Sequence, residues 1–167
     1  MAGEILAARV RELFAYDPET GEFRRLVRLA QRHHVGDRGD VSINTGPLKG
    51  YRRVAFDSVR FLAHRVAWLH VYGEWPVDMI DHINGDKSDN RIANLRQATA
   101  SLNAQNKRKA QKNCASGLIG AHKHKNGWYA KVYLNKQLAY GKVFKTPEEA
   151  HAAYVEAKRT IHPGCTI

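Results

Sequence analysis

The sequence predicts an α+β protein in two parts. Three observations lead to this prediction: pairs of short apolar runs separated by turn residues, helical segments with apolar residues on one face, and a change of pattern near residue 116. We expect a first part of hairpins and short helices. The second part is expected to be a three-stranded antiparallel sheet packed on one helix.

The first half begins with a short helix over residues 4–14, followed by two hairpins. Asp17-Pro18-Glu19-Thr20-Gly21 is a turn between the runs 13–16 and 22–26, and Asp57-Ser58 is the turn of a hairpin over 51–61. Residues 27–49 predict an irregular basic segment. Its cationic and imidazole side chains either touch a phosphate backbone or coat a solvated loop: Arg24, Arg25, Arg28, Arg32, His33 and His34.

A second helix follows, with Leu62, Val66 and Leu69 on one face, and Gly73 and Pro76 stop it. His64 lies one turn before Trp68, and a core histidine packed by an aromatic ring is favoured over a substrate contact. Residues 79–96 predict two short strands around a polar loop, and a helix starts near Thr99 or Ser101.

The second half predicts three strands over 117–123, 128–134 and 137–144. Asn126-Gly127 is a strong hairpin turn and Asn135-Lys136 a weaker one. Thr146-Pro147-Glu148-Glu149 predicts a helix start with a capping box, and Pro163-Gly164 ends that helix.

Charge indicates a polyanionic partner. The chain has 167 residues and a net charge of +11, and residues 104–167 carry 12 Lys+Arg against 3 Asp+Glu. Residues 1–103 carry 15 against 13, so the excess of +9 against +2 lies in the C-terminal part. Such a surplus favours nucleic acid.

The cysteine content indicates the cellular compartment. Cys114 and Cys165 are each isolated in sequence, which excludes a CxxC zinc site and favours a reduced, cytoplasmic setting. No export signal, transmembrane segment or obligate protein partner is expected.

The densest polar run is Asp81-His82-Ile83-Asn84-Gly85-Asp86, continued by Asp89-Asn90-Arg91 and Asn94-Leu95-Arg96. Phosphodiester hydrolysis needs an activated water and a neutralised leaving oxygen. His82 suits the first task, because its ordinary pKa lies near neutrality. Asp81 and Asn103 offer hard oxygens for Mg²⁺, and Asn94 can bond backbone groups and hold the loop closed.

Two other interpretations of this run remain. A Ca²⁺ loop fits poorly, because counting from Asn84 puts Asp89 where glycine is needed and Leu95 where the bidentate Glu belongs. A surface turn without chemistry would also explain Asn84-Gly85-Asp86.

Residues 77–106 resemble the HNH nuclease family, in particular its homing-endonuclease-like branch of phage and group I introns. The matching residues are Asp81-His82-Ile83-Asn84-Gly85-Asp86, Asp89-Asn90-Arg91, Asn94-Leu95-Arg96, Thr99 and Asn103 to Asn106, preceded by His64-Arg65-Val66-Ala67-Trp68 and Gly73-Glu74-Trp75-Pro76.

The resemblance implies a ββα-metal fold and cleavage that leaves 5′-phosphate and 3′-hydroxyl ends. It implies His82 as general base, Asn94 as loop-fixing residue, and Asp81 and Asn103 as ligands of one divalent cation. Asn103 stands where many relatives have His, which favours Mg²⁺ or Mn²⁺ over zinc. Asn106 is the alternative second ligand.

Residues 117–162 resemble the DNA-binding domain of plant ethylene-response factors. The matching residues are Gly117-Leu118-Ile119-Gly120-Ala121, Gly127-Trp128-Tyr129-Ala130, Phe144 to Ala150, and Ala153-Tyr154. The resemblance implies that the sheet lies in the major groove of duplex DNA. Alternation along the second strand places Tyr129, Lys131 and Tyr133 outward and leaves Trp128 as a core residue rather than a stacking platform.

The expected DNA-binding residues comprise this outward face, its neighbours and a basic stretch before it: His122, His124, Tyr129, Lys131, Tyr133, Lys136, Lys142, Arg96, Lys107 and Arg108. The expected parts are 1–60, with hairpins and an irregular basic segment; 61–106, the nuclease core; 107–116, a linker; and 117–162, the DNA-binding sheet.

The expected function is a metal-dependent DNA endonuclease. The alternative is a sequence-specific DNA-binding protein whose nuclease half is only a scaffold. An RNA-directed protein is disfavoured by the sheet pattern.

Overall fold

The computed structural model describes residues 7–106, 110, 114–162 and 164–166. The chain divides into two compact units, 1–99 and 100–167. Both contain helices and small antiparallel sheets, as the sequence predicts. None of the helices in the described ranges is long and apolar enough to cross a membrane. The predicted part boundaries at 60, 106 and 116 stay predictions.

Besides a 3₁₀ helix at Ile92–Asn94, the first unit contains two α-helices and seven strands among its described residues. In chain order these are α1 Ala7–Leu13, β1 Phe14–Tyr16, β2 Phe23–Arg25, β3 Asp40–Ser42, β4 Arg52–Phe56, β5 Val59–Leu62, α2 Ala63–Tyr72, β6 Met79–His82 and β7 Leu95–Ala98. They form three antiparallel sheets: β1-β2, β3-β4-β5 and β6-β7. Both predicted N-terminal hairpins and the two strands around the polar loop are therefore confirmed.

The core of this unit joins the hairpins to α2. Phe14, Phe23, Val54 and Val66 are fully buried. Phe14 meets Phe23 edge-on, with ring centroids 6.3 Å apart. Helix α2 ends at Gly73, whose left-handed φ of 84° lets its N–H bond the carbonyl of Leu69. The predicted stop at Gly73 is thus confirmed.

Strand β3 lies inside the segment predicted to be irregular, so that prediction is wrong for residues 40–42. Asp40 is buried, and its carboxylate accepts hydrogen bonds from Arg38 at 3.0 Å and from Arg52 on β4. A buried charge in a strand is tolerated because both partners lie beside it. Hydrophobic patterning cannot detect a strand of this kind.

The second unit contains α3 Ala100–Gln105, β8 Ala121–His124, β9 Gly127–Leu134, β10 Gln137–Phe144 and α4 Pro147–Ile161. The three strands pair in the order β10-β9-β8. Helix α4 begins with the predicted capping box: the Thr146 hydroxyl accepts from the Glu149 N–H, and the Glu149 carboxylate accepts from the Thr146 N–H. Pro163 lies outside the described residues, so its predicted role at the helix end is not described.

The sheet and α4 enclose a core of small side chains. Ala121, Ala130 and Ala150 are fully buried, and Trp128 and Tyr154 pack against them. Trp128 is therefore a core residue, as predicted. A Cβ on Gly120 would lie 2.0 Å from the Tyr154 ring, so this position requires glycine.

Two details of the hairpins differ from the sequence prediction. His124 pairs with Gly127, so the β8-β9 turn consists of Lys125-Asn126 and Gly127 already belongs to β9. Strand β8 begins at Ala121 rather than at Gly117, because Gly117 and Gly120 both adopt left-handed φ and interrupt extended chain. The Asn135-Lys136 turn is confirmed, with φ of 50° and 67° as in type I′ hairpins.

Candidate functional site

The predicted catalytic residues lie on the β6-β7 hairpin and the loop it carries. Asp81 pairs with Arg96 and His82 with Leu95 across the two strands. Strand β6 ends at His82. Side chains of successive residues point to opposite faces only within a strand, so this rule no longer applies directly after His82.

Asn94 closes the loop between the two strands from within. Its Oδ1 accepts from the Asn84 N–H at 2.9 Å, and its Nδ2 donates to the Asp89 carbonyl at 2.8 Å. The Ile83 N–H also donates to the Asn94 carbonyl at 2.9 Å. These bonds are those expected of a loop-fixing side chain.

The acidic side chains at the tip of the loop bind the loop itself. Asp86 Oδ1 accepts from the Ser88 N–H and hydroxyl, at 2.9 and 2.7 Å. Asp89 is bound by Arg91 and by Asn84 Nδ2. The side-chain hydrogen bond from Arg91 is the main cause that lowers the pKa of Asp89. These carboxylates serve a structural turn, and this part of the turn interpretation is confirmed.

His82 is buried, with 4% of its surface exposed. Its Nε2–H donates to Oδ1 of Asn90 at 3.1 Å. Burial lowers the pKa of His82 below its ordinary value, and the hydrogen bond to Asn90 and the charge of Asp81 oppose part of that shift. The imidazole is therefore neutral at pH 7, the form that accepts a proton.

Asp81, the neighbour of His82, is also buried and forms an ion pair with Arg96. Arg96 Nε and Nη2 lie 3.0 and 2.8 Å from Asp81 Oδ2. Arg96 was predicted to contact DNA, and the structure places its guanidinium on this carboxylate. Asp81 is thus a hard anionic oxygen donor held at the end of a strand.

Two aromatic side chains beside His82 were not predicted as site residues. The His64 ring lies 5.0 Å from the His82 ring, edge to face, and the Tyr51 ring lies 5.9 Å from it. His64 is a buried histidine packed by an aromatic ring, as predicted, but the ring is Tyr51 at 5.3 Å, while Trp68 packs on Tyr72. Burial lowers the pKa of His64 to about 3.

Asn90 is the other residue that sequence reasoning missed. It stands within the polar run, but four other amide and carboxylate side chains share the loop with it. Its position eight residues after His82, in a loop that returns to the same hairpin, was the available signal. Only the coordinates identify it as the hydrogen-bond partner of the histidine.

Asn103 and Asn106, the candidate second metal ligands, belong to the second unit. Asn103 lies on α3 and is exposed. Asn106 is buried, and its Oδ1 accepts a hydrogen bond from the Thr166 hydroxyl. The exposed amide of Asn103 is the better placed of the two to receive a ligand from solvent.

No group of three or more His, Cys, Asp or Glu side chains capable of holding a metal occurs in the described parts of the chain. A hard cation with few protein ligands still suits the donors present. Mg²⁺ retains several waters and commonly takes one or two carboxylates together with phosphate oxygens. Asp81 supplies this type of donor in the first unit.

The predicted DNA-binding residues of the second unit divide between the two faces of its sheet. His122 pairs with Tyr129, and Tyr129, Lys131 and Tyr133 alternate with the buried Ala130 and Val132. They therefore share the face opposite the alanine core, as predicted from alternation. The Lys131 ammonium lies 5.8 Å from the Tyr133 ring centroid. Burial, followed by the charge of Lys131, lowers the pKa of His122.

The remaining predicted contacts lie elsewhere. Lys142 pairs with Ala130 and so belongs to the helix-side face, where its ammonium lies 5.6 Å from the Phe144 ring. Lys136 is in the β9-β10 turn, and His124 ends β8 with its ring 5.8 Å from Tyr129. Lys107 and Arg108 lie outside the described residues.

The arginines of the N-terminal segment bind their own loop. Arg28 donates to the carbonyls of Ala30 and Gln31, and Arg24 pairs with Glu22 at 2.9 Å. Arg25 is buried. These contacts favour the structural alternative for these three residues.

Comparison with known proteins shows a family match for the part of the chain that carries this site. Residues 61–105 match the family model described as HNH endonuclease, a segment that runs from β5 into α3 and includes Asp81, His82, Asn94 and Asn103. Neither the curated proteins nor the solved structures gave a match. Residues 61–105 are thus similar to the HNH endonuclease family, a likeness that suggests nuclease-type cleavage of DNA at the family level.

Proposed function

We propose that the protein is a metal-dependent, homing-endonuclease-like DNA endonuclease with His82 as its general base. The observation that carries the proposal is a buried, neutral imidazole next to the Asp81 carboxylate, within the segment that matches the family model. A general base must be unprotonated at the working pH and held in a fixed geometry, and it works best when its pKa lies near that pH.

The bond to Asn90 determines which nitrogen of His82 acts. Because Nε2 carries the proton that is donated to Asn90, Nδ1 carries the lone pair. Nδ1 is therefore the atom that takes a proton from the attacking water. A neutral donor–acceptor pair in a buried site also keeps the ring from rotating.

Asp81 would supply a carboxylate ligand to one divalent cation, with Mg²⁺ favoured over Mn²⁺. Asn103 stays the predicted second ligand. When bound, such a cation neutralises charge on the phosphodiester and on the leaving oxygen. The ββα-metal arrangement is proposed on the same basis: β6 supplies both the base and the carboxylate, β7 pairs with it, and α3, which carries Asn103, follows in the sequence. The expected products carry 5′-phosphate and 3′-hydroxyl ends.

The second unit is proposed to hold the duplex through the outward face of its sheet. That face combines His122, Tyr129, Lys131 and Tyr133, which provide hydrogen-bond donors, positive charge and planar rings. The net charge of +9 over residues 104–167 supports a polyanionic ligand. An ethylene-response-factor-like domain is the proposed identity of this unit.

The ion pair of Asp81 with Arg96 favours one rival function. A scaffold that only binds DNA would keep this hairpin folded through the pair, with no cation and no cleavage. The two functions differ in what happens to the phosphodiester bond, which a direct assay measures.

The test is to incubate the full chain with supercoiled plasmid, with Mg²⁺ and separately with a chelator. The nuclease predicts open-circular or linear product with Mg²⁺ and none with chelator. Retention of the plasmid in a mobility-shift gel, with no product under either condition, would establish the scaffold instead. The ratio of open-circular to linear product also shows whether one strand or both are cut.

A further inference from the structure

The turn of the first hairpin contacts the segment that follows the polar loop tip at three places. The Tyr16 hydroxyl donates to the Asn90 carbonyl at 2.7 Å, and the Ile92 N–H donates to the Pro18 carbonyl at 3.2 Å. Gly21 packs on the backbone of Asn90 and Arg91. The hairpin itself lies outside residues 61–105, the segment that matches the family model.

Gly21 allows this contact because it has no side chain. A Cβ there would lie 2.5 Å from the Arg91 nitrogen and 2.5 Å from the Asn90 carbonyl carbon. Its φ of 72° is also left-handed, which strains other residues. The two backbones meet at a distance that only glycine permits.

The side chain of Tyr16 is buried, and its hydroxyl acts as a hydrogen-bond donor. Burial raises its pKa far above the ordinary value, so the phenol stays protonated and donates. The Phe23 ring lies 4.9 Å from the Tyr16 ring and fixes its position. The Asn90 carbonyl is thus hydrogen-bonded to a side chain whose own position is fixed by packing.

Asn90 is held at its backbone and directs His82 through its side chain. It is 1% exposed, and its Nδ2 has no hydrogen-bond partner among the described residues. The Oδ1 contact with His82 is therefore the hydrogen bond that orients the amide. The position of the backbone decides whether that contact forms.

We propose that the β1-β2 hairpin is a positioning element of the nuclease site, in which Tyr16 and Gly21 set the Asn90 backbone and Asn90 sets the ring of His82. The inference rests on the proposed function and extends it. The catalytic arrangement then depends on residues some 40 positions before the matched segment. Tyr16, Gly21 and Asn90 are positioning residues and touch no substrate.

The first test is a double-mutant cycle on the single-turnover cleavage rate at saturating DNA. Asn90→Ala should lower the rate about 10- to 100-fold, as outer-shell partners do, and Tyr16→Phe about tenfold. Because Tyr16 acts through Asn90, Tyr16→Phe should have no further effect in the Asn90→Ala background. Equal effects of Tyr16→Phe in both backgrounds would mean a general structural role and overturn the proposal.

Tyr72→Phe is the matched control, since it removes an exposed hydroxyl from the same unit. It should leave the rate and DNA affinity unchanged. Gly21→Ala is a second variant, expected to lower the rate with DNA affinity retained. Thermal unfolding of each variant verifies that the fold is present during the assay.

The second test needs no activity. Nitrogen-15 NMR of the His82 ring should show the Nε2–H tautomer in the wild type, a mixture of tautomers in Asn90→Ala, and a shift toward that mixture in Tyr16→Phe. Wild-type ring signals in Tyr16→Phe would overturn the positioning role. If the wild type cuts no DNA, the proposed function fails, and this measurement still decides whether the hairpin sets the ring.

Discussion

Arg96 donates two hydrogen bonds to a single oxygen of Asp81, from Nε and Nη2 at 3.0 and 2.8 Å. The pair joins β6, the strand that carries both the proposed base and the proposed ligand, to its neighbour β7. Asp81 is buried, so its charge needs compensation, which Arg96 or a bound cation can supply.

Removal of Arg96 should make the stability of the protein depend on Mg²⁺. Arg96→Ala removes the Arg96 ion pair from a buried carboxylate and should cost about 2 kcal/mol of unfolding free energy in chelator. Mg²⁺ should recover part of that loss, because the cation neutralises the same group. Urea unfolding with and without Mg²⁺ measures both effects.

Arg60→Ala, which removes an exposed arginine on β5, is the charge-matched control and should change neither value. An equal effect of Mg²⁺ on wild type and Arg96→Ala would contradict the assignment of Asp81 as a ligand.

Substitution of His82 should abolish cutting but not DNA binding. His82→Ala removes the proposed base, and general-base catalysis contributes about 10²- to 10⁴-fold. DNA affinity should stay close to the wild-type value, because the proposed binding face lies in the other unit. Single-turnover cleavage and a mobility-shift assay on the same preparation check the two expectations. A parallel loss of affinity and rate would argue against the role of His82 as base.

Asn94 should matter for stability first and for rate as a consequence. Asn94→Ala leaves the Asn84 N–H and the Asp89 carbonyl without their side-chain partner, which should cost about 2 kcal/mol. The cleavage rate should fall as well, because the same loop carries Asn90. Asn94→Asp keeps the acceptor for Asn84 and should lose less stability. Equal losses in the two variants would rule out this account of the loop.

Stability should fall in mild acid because of His64. Its pKa is lowered to about 3 in the folded chain, against about 6.5 when unfolded. Below pH 6.5 the unfolded chain therefore binds a proton that the folded chain does not, and stability decreases as pH falls. The slope from this residue is about 1.4 kcal/mol per pH unit.

His64→Leu should reduce the slope of stability against pH between pH 6 and 4 by the contribution of one proton. This expectation is independent of how the substitution changes stability at pH 7. Urea unfolding at several pH values measures the slope in both proteins. Identical slopes would show that His64 is protonated in the folded chain.

The outward face of the second unit's sheet should give DNA binding a steep salt dependence. If Lys131 contacts one phosphate, Lys131→Gln should lower the slope of log K against log salt by about 0.9. Lys145→Gln removes the same charge from an exposed position before α4 and serves as the control. Fluorescence anisotropy between low and moderate salt gives both slopes. A larger change for Lys145 than for Lys131 would place the DNA on another surface.

Local signals in the sequence were sufficient for most of the secondary structure. Asp17 to Gly21, Asp57-Ser58 and the capping box at Thr146 each act within a few residues, and the structure has a turn or a helix start at each. The same holds for the alternation of Tyr129, Lys131 and Tyr133. Short-range patterns determine these features, so a single sequence is enough to predict them.

Contacts between distant residues could not be predicted in this way. Strand β3 depends on Asp40 meeting Arg52, and the environment of His82 depends on Asn90, His64 and Tyr51. The hold of Tyr16 on Asn90 joins residues 74 positions apart. Each is a matter of tertiary packing, and several equally plausible polar partners were available in the sequence.

The alanine core of the second unit has a consequence for engineering. Ala121, Ala130 and Ala150 pack sheet and helix together from one side, while Tyr129 and Lys131 point away from them. Side chains on the outward face of the sheet can thus be randomised in a library without disturbing the alanine core of the second unit. If that surface contacts the duplex, selection at a few of its codons can change which DNA sequence the protein binds.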